Sequence, residues 1–578
     1  MKNPHKNLRR NNIVRLFLSL IAIILINIIS SFIFYRFDLT SEKKYSLSDT
    51  TKEMIRKLDD IVYFKVFLKG DYPAGFKRLE KETREMLDEF RAYNDNIQYE
   101  FSNPSESSDP KERQETYKLL YERGLDPTTL RVNEKGEASQ QIIFPGALVS
   151  YKGRELPVQL LQTQIGIPAD AVLNNSIQSL EYSISNVIRK LTAEHKPKVA
   201  FVKGQGELNI MQTADIANAL SEYYDMDTVI IGGKLNSLST RLKLDSTNSK
   251  FVNKYAALII ARPTRPFEEK DKFLLDQFIM RGGKVLWLID PVLTSMDSLN
   301  KHGQTIGVTN DVNLEDMLFH YGVRMNDDLV MDMSALPIPL KTGQIGNQPQ
   351  FDFFPWYFSP LVAPSSRHPI VKNLNLIKTE FISSLDTLKI PGIKKTILLA
   401  SSQYSRVVSA PVMISLEILR HEPDKRMFNR SDIPLAVLLE GEFPSLFTNR
   451  IPPEIATNKE LGVLTMSKPT KMIMVADGDV IKNQFNLSKG YPLPLGYDQY
   501  TGQTYGNKDF ILNAMNYLCD ESDLLAVRSR ELKIRKLDMS RVNEGKIFWQ
   551  LLNTLVPVIL VLVYALVRFS IRKRRYAK

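Results

Sequence analysis

Three short clusters carry the groups best placed to do chemistry in this chain: Gly204-Gln205-Gly206-Glu207, Asp290-Pro291 and Asp477-Gly478-Asp479. Each follows a short apolar run, so each reads as the turn that leaves a β-strand. Open α/β sheets bind ligands outside the carboxyl ends of their strands. Gly204, Gly206, Glu207 and Asp290 are therefore the candidate ligand-binding residues, with Arg262 at the same edge. The glycines would let backbone amides approach an anionic group, although the spacing is not Gly-x-Gly-x-x-Gly. A tight strand-to-helix turn needing positive φ is the favoured reading of the two glycines. Asp477 and Asp479 could share a divalent cation, but no third carboxylate is close in sequence. Neither a metal nor a cofactor is assigned.

The missing motifs argue against an enzyme. There is no Gly-x-x-x-x-Gly-Lys-Ser/Thr loop, no Gly-x-Ser-x-Gly elbow and no His-Glu-x-x-His helix. The six histidines are scattered, and the single cysteine, Cys519, sits in an apolar helical pattern without a nearby histidine. One cysteine also excludes an internal disulfide. The run Phe351 to Phe358 falls in a long insertion with weak secondary-structure signals. Phe354, Trp356 and Tyr357 there are candidate partner-binding residues, against the alternative of a small core under a loop.

The elements that hold these groups are set by the chain ends. Leu16 to Tyr35 and Ile547 to Val567 contain no charged residue, and each is long enough to cross a bilayer as a helix. Six cations flank the first run and six the last, with no acid in Met1 to Phe37 or Arg568 to Lys578. Removing those 12 from the 76 Lys+Arg leaves 64 against 65 Asp+Glu, so the formal +11 belongs to the tails. Such a distribution points to anionic membrane lipids, not nucleic acid. Short basic tails predict both termini in the cytoplasm and Asp38 to Lys546 on the far side. Asn27 with Ser30 and Ser31, and Asn553 with Pro557, share helix faces, so both spans are expected to pack against partner helices.

Between the spans the pattern predicts an α/β protein. Residues 1–15 form a tail, 16–35 the first span, and 38–162 a domain of order β-α-β-α-β-β. That order is thioredoxin-like, but Lys69-Gly70-Asp71-Tyr72-Pro73 replaces any Cys-x-x-Cys, which excludes disulfide exchange. Residues 163–195 supply a linking helix, Ala169 to Leu191. Residues 196–525 alternate strands and helices as in a Rossmann-like sheet, with an insertion around 300–390. Residues 526–546 form a stalk, 547–567 the second span and 568–578 a basic tail.

Several segments together resemble one family. They are Arg36-Phe37-Asp38-Leu39-Thr40-Ser41-Glu42-Lys43-Lys44-Tyr45-Ser46-Leu47-Ser48, Gly204-Gln205-Gly206-Glu207, Tyr321-Gly322-Val323, Leu438-Leu439-Glu440-Gly441-Glu442-Phe443 and Asn507-Lys508-Asp509-Phe510-Ile511-Leu512-Asn513-Ala514. In that order they resemble the GldG family, the gliding-motility-associated ABC transporter auxiliary proteins of Bacteroidetes. The resemblance implies a bacterial inner-membrane, largely periplasmic, non-enzymatic subunit acting with an ABC permease and a cytoplasmic ATPase. It also implies that the central module is glutamine-amidotransferase-like. The cysteine elbow of that fold has no match here, so amidotransferase activity is not implied. The competing function is an extracytoplasmic ligand-binding module with its pocket at the carboxyl edge of the sheet.

Overall fold

The computed structural model describes residues 14–25, 46–134, 137–193, 195–243, 249–346, 348–448, 450–452, 454, 462–486, 488–519, 524–528 and 545–576. They divide into two units. The first holds everything described up to Arg528, and the second holds the helix Lys546–Tyr576. The fold is mixed α/β.

The body opens with α1 (Asp49–Arg56), capped by Ser48, whose Oγ accepts from the Thr51 amide at 3.1 Å. Then follow β1 (Val62–Val66), α2 (Ala74–Tyr93), β2 (Ile97–Phe101), α3 (Pro110–Glu122) and β3 (Thr128–Glu134). The series continues with β4 (Glu137–Ile143), β5 (Gly146–Tyr151), β6 (Arg154–Gln159), α4 (Ala169–Gln178) and α5 (Leu180–Thr192). Val62, Phe64 and Val66 alternate inward along β1, as a half-buried strand should. The sheet order is β2-β1-β5-β6, with β1 and β2 parallel and the other pairs antiparallel. Ile184, Val187, Ile188 and Leu191 of α5 join Val62 and Phe64 in its core.

Two expectations are corrected here. The pattern Gln140 to Tyr151 reads in sequence as one strand, but Phe144-Pro145 divides it into β4, which pairs only with β3 among the described residues, and β5. A proline amide has no hydrogen for the ladder. The linking helix is also two, broken at Ser179, whose Oγ donates to the Ser176 carbonyl at 2.9 Å.

The larger sheet has seven strands: β7 (Lys198–Lys203), β8 (Asp225–Ile230), β9 (Ala257–Ala261), β10 (Lys284–Leu288), β11 (Ile393–Ala400), β12 (Pro434–Gly441) and β13 (Thr470–Val475). Their order is β11-β12-β13-β10-β9-β7-β8. From β13 through β8 all neighbours are parallel, and β12 runs antiparallel to both of its own. All five residues of β9 are buried. Ala257, Ile259 and Ala261 face one core, which the helix Asn507–Cys519 covers through Phe510, Ile511, Ala514 and Met515. Leu258 and Ile260 face the other, under Leu275, Phe278 and Ile279 of the helix Glu269–Met280. A sheet covered on both faces keeps only its strand ends open to chemistry.

The segment expected to lack regular structure is a long antiparallel hairpin, Ala335–Ile345 with Gln348–Val362. Pro337 pairs with Pro355 and Pro339 with Phe353. These prolines interrupt the alternation by which a strand is recognised in sequence. In the second unit, Lys546–Arg574 is long and apolar enough to cross a membrane, and its apolar stretch is unburied. Of the first apolar run only Val14–Leu25 is described, a shorter apolar helix; residues 26–35, Asn27 among them, lie outside the described residues.

Candidate functional site

Three adjacent strand ends meet at the carboxyl edge. β9 delivers Arg262, β10 delivers Asp290 and β13 delivers Asp477-Gly478-Asp479. Parallel register makes them neighbours although they span more than 200 residues of sequence. One carboxylate oxygen from each of Asp290, Asp477 and Asp479 lies within 4.8 Å of the other two. The third carboxylate that the sequence neighbourhood lacks thus comes from β10.

The four oxygens of Asp290 and Asp477 accept hydrogen bonds, and the two of Asp479 face cations. Arg262 Nε lies 2.7 Å from Asp290 Oδ2 and 3.4 Å from Asp479 Oδ2. Lys482 Nζ lies 2.9 Å from Asp479 Oδ1. Asp290 Oδ1 accepts from the Gly478 amide. Asp477 Oδ1 accepts from the amides of Asp479 and Val480 at 2.7 and 3.2 Å, and its Oδ2 from Glu380 at 2.9 Å. A divalent cation would have to displace Arg262 and Lys482 from oxygens they hold. The arrangement is a buried ion-pair network joining three strands.

The backbone around it is constrained. Arg262 and Phe381 both hold left-handed φ, +56° and +53°, a conformation that costs a non-glycine residue about 1–3 kcal/mol. Gly478 has no room for a side chain, since a Cβ there would lie 2.6–2.9 Å from Arg262 Cβ, Cγ and Cα. Charge crowding is visible in proton affinity. Burial, and then the neighbouring Asp479, push Asp290 up to about 6. Burial and the Asp290 charge hold Asp477 well above the usual carboxylate range, and Glu380 is raised by burial and Asp479. Burial disfavours the charged Arg262, but Asp479 and Asp290 outweigh it and hold the guanidinium above its ordinary value.

The remaining candidate ligand residues stand apart. Gly204, Gly206 and Glu207 follow β7, and β9 lies between that strand and β10. The Gln205 carbonyl accepts from the amides of Thr264 and Arg265 at 2.8 and 2.9 Å. Glu207 Oε2 accepts from the Gln205 amide at 2.9 Å, and burial raises its carboxyl. Gly206 has φ +75°, and a Cβ there would run into Thr264 Oγ1. Those bonds are what a tight turn requires.

An open cleft of about 380 Å³ is lined by Ile289 and Pro291, the chain neighbours of Asp290. Ile289, Pro291, Val312 and Leu318 give it apolar walls, and Glu315 and Asp327 give it acids. Asn310 fixes it to the network, donating from Nδ2 to the carbonyls of Asp290 and Pro263 at 2.8 and 3.1 Å. No motif marks these residues. What announces them is a turn-rich stretch after the Asp290-Pro291 strand end.

Trp356 and Tyr357 are buried among Leu329, Met331 and Phe381, and Phe354 is half-buried against them. The exposed aromatics of that hairpin are Phe351 and Phe353. In the second unit, Asn553 Nδ2 donates to the Trp549 carbonyl at 2.9 Å, within its own helix.

Comparison with known proteins bears on this body directly. A domain of unknown function (DUF7088) matches residues 41–150. An uncharacterized protein of Borreliella burgdorferi is 21% identical over 577 residues, covering 98% of this chain and 99% of the relative. The solved mmIFT52 N-terminal domain aligns over 56% of this chain and 97% of its own, at 13% identity and TM-score 0.29. A family model described as an ABC-type uncharacterized transport system matches residues 196–514, the seven-stranded sheet included. More than half of the chain lies in that match, and the chain belongs to the ABC-type uncharacterized transport system family.

Proposed function

We propose that this chain is a non-enzymatic, membrane-anchored periplasmic subunit of an ABC-type transport complex used in gliding motility or cell-surface protein export. Family membership over residues 196–514 carries the accessory role. The carboxyl edge supports it too, because its strongest titratable groups are engaged with one another. An ABC permease and a cytoplasmic ATPase are the partners. Two spans, 16–35 and 547–567, hold both termini in the cytoplasm of a bacterial inner membrane, with the tails on anionic lipids. Motion of the permease passes through Asn27 and Asn553 faces to the body. Residues 38–162 read as thioredoxin-like, on the support of the β2-β1-β5-β6 order. Residues 196–525 read as a Rossmann-like, glutamine-amidotransferase-like domain, joined by 163–195 and followed by the stalk 526–546. Purification in mild detergent should bring down a polytopic permease and an ATPase. Recovery of the protein alone across several detergents sinks the reading.

The cleft beside Asp290 favours a second reading, a ligand-binding module at the carboxyl edge. Glu315→Gln with Asp327→Asn separates the two. Under the second reading the pair abolishes function at an unchanged melting point; under the first it does not. Glu207→Ala should then lose function only in step with stability.

A further inference from the structure

The cleft lined by Ile289 and Pro291 holds acceptors that nothing in the described residues fills. Asn310 is only 4% exposed, yet it lines the cleft. Its Nδ2 donates to the carbonyls of Asp290 and Pro263, and because a carbonyl can only accept, the amide's orientation is fixed. Oδ1 is then the atom without a partner among the described residues. A buried amide oxygen that lacks a donor carries a desolvation cost.

Glu315 and Asp327 in the same lining add two carboxylates with no ion pair among the described residues. Partial burial raises the Glu315 carboxyl, and the charges of Asp311, Asp327 and Asp316 raise it further. Asp316, by contrast, is held by Lys272 at 2.8 Å and Arg450 at 2.5 Å. Arg324 is the one cation among the described lining residues.

An aromatic ring completes the set. Phe319 lines the cleft and is 53% exposed, one turn after Glu315 on the short helix Glu315–Tyr321. Residues four apart share a helix face, so the carboxylate and the ring are presented together. A first-turn acid also complements the helix dipole, but that purpose needs no exposed phenyl ring one turn on. An aromatic face attracts a cation, and Val312 and Leu318 offer apolar wall beside it.

We propose that this cleft binds an organic cation, an ammonium or guanidinium group carried on an apolar stem. The inference rests on the ligand-binding reading of the cleft. The charged end meets Glu315, Asp327 and the Asn310 oxygen, and the stem lies along Val312 and Leu318.

Hydrogen–deuterium exchange of the full chain in a neutral detergent tests it with butylammonium, butyrate and butanol, which share one stem. Butylammonium should protect residues 310–327 at about one-tenth of the concentration the other two need. Glu315→Gln with Asp327→Asn should raise that concentration about tenfold, and Phe319→Leu about threefold. Melting points of the variants are read alongside, and if the double variant does not fold, Phe319→Leu and the butyrate comparison decide. Equal protection by the three compounds, or protection by butyrate or butanol alone, leaves a ligand cleft and overturns the cation. Butylammonium protection that both variants leave unchanged overturns it as well. Protection by none of the three overturns the cation and the ligand-binding reading together. N-acetyl-lysine amide separates the two sources of such a cation. If it protects at a lower concentration than butylammonium, the occupant is a basic side chain of a partner; the reverse order supports a free amine.

Discussion

Two buried carboxylates in the larger module meet the same problem and solve it differently. Asp276, fully buried on the helix Glu269–Met280, is surrounded by uncharged donors. It accepts from the Tyr321 hydroxyl at 2.8 Å, the Ser445 hydroxyl at 2.6 Å and the Leu446 amide at 2.9 Å. Asp290 instead shares its space with Asp477, Asp479 and Arg262. Burial raises both carboxyls, yet at Asp290 the second cause is another carboxylate. Neutral donors make a fixed joint between helix and loop. Mutual charge makes a joint whose strength depends on proton count.

The largest expected effect breaks the neutral side. Asp276→Ala strands two hydroxyls and an amide, each costing about 1–3 kcal/mol when left unsatisfied, so a total loss of about 3–9 kcal/mol is expected. Thermal melting should show that loss equally at pH 7.5 and pH 5.5. A strong pH dependence would erase the contrast.

Next is Arg262→Gln, which leaves the carboxylates without their central cation. The expected loss at pH 7.5 is about 2–4 kcal/mol. It should shrink markedly at pH 5, where protonation relieves the repulsion, and an equal loss at both pH values would contradict the charge-crowding account.

Smaller is the titration of the intact network. Asp290 binds its proton more tightly in the folded chain, so the linked stabilisation is full below the ordinary 3.8 and lost as pH rises through about 6. Melting of the body should therefore rise by roughly 2–4 °C between pH 7.5 and 5. Asp290→Asn should flatten that slope, and a wild-type melting point that falls over this window would reverse the assignment.

The smallest effect is that of divalent cations. Millimolar Mg²⁺ or Ca²⁺ should shift melting by less than about 1 °C, because Arg262 and Lys482 already sit against the carboxylates a cation would need. A saturable stabilisation lost in Asp477→Asn would recast the network as a metal site.

The first module was readable almost element by element. Its first strand alternates cleanly, Ser48 marks a helix start, and Asn94 and Gly124 mark helix ends. Local chemistry carries such signals. The carboxyl-edge network was only half legible. Asp290 and Asp477-Gly478-Asp479 stand after recognisable strands, but nothing local says that β10 lies between β9 and β13. Nor does sequence show that Glu380 and Lys482 arrive there. Reading Glu207 with Asp290 failed to allow for the strand between them. The break at Ser179 was hidden because apolar spacing continues through it. The aromatic run left a surface patch and a small core as alternatives because its prolines obscure the strand, and strand geometry turns Trp356 and Tyr357 inward.

Those prolines have a colloidal consequence. In an antiparallel pair, opposed prolines can only occupy a non-hydrogen-bonded site, where the missing hydrogen would have pointed away from the partner strand. Pro337, Pro339 and Pro355 thus strip donors from the outer edges of a hairpin that exposes Phe351 and Phe353. The edge of Ala335–Ile345 loses two successive outward donors and is a poor template for a growing ladder, while the opposite edge loses one, at Pro355. The phenyl rings remain available to a side-chain partner, while stacking of one molecule's hairpin onto the next by strand addition is hindered at the proline-bearing edge.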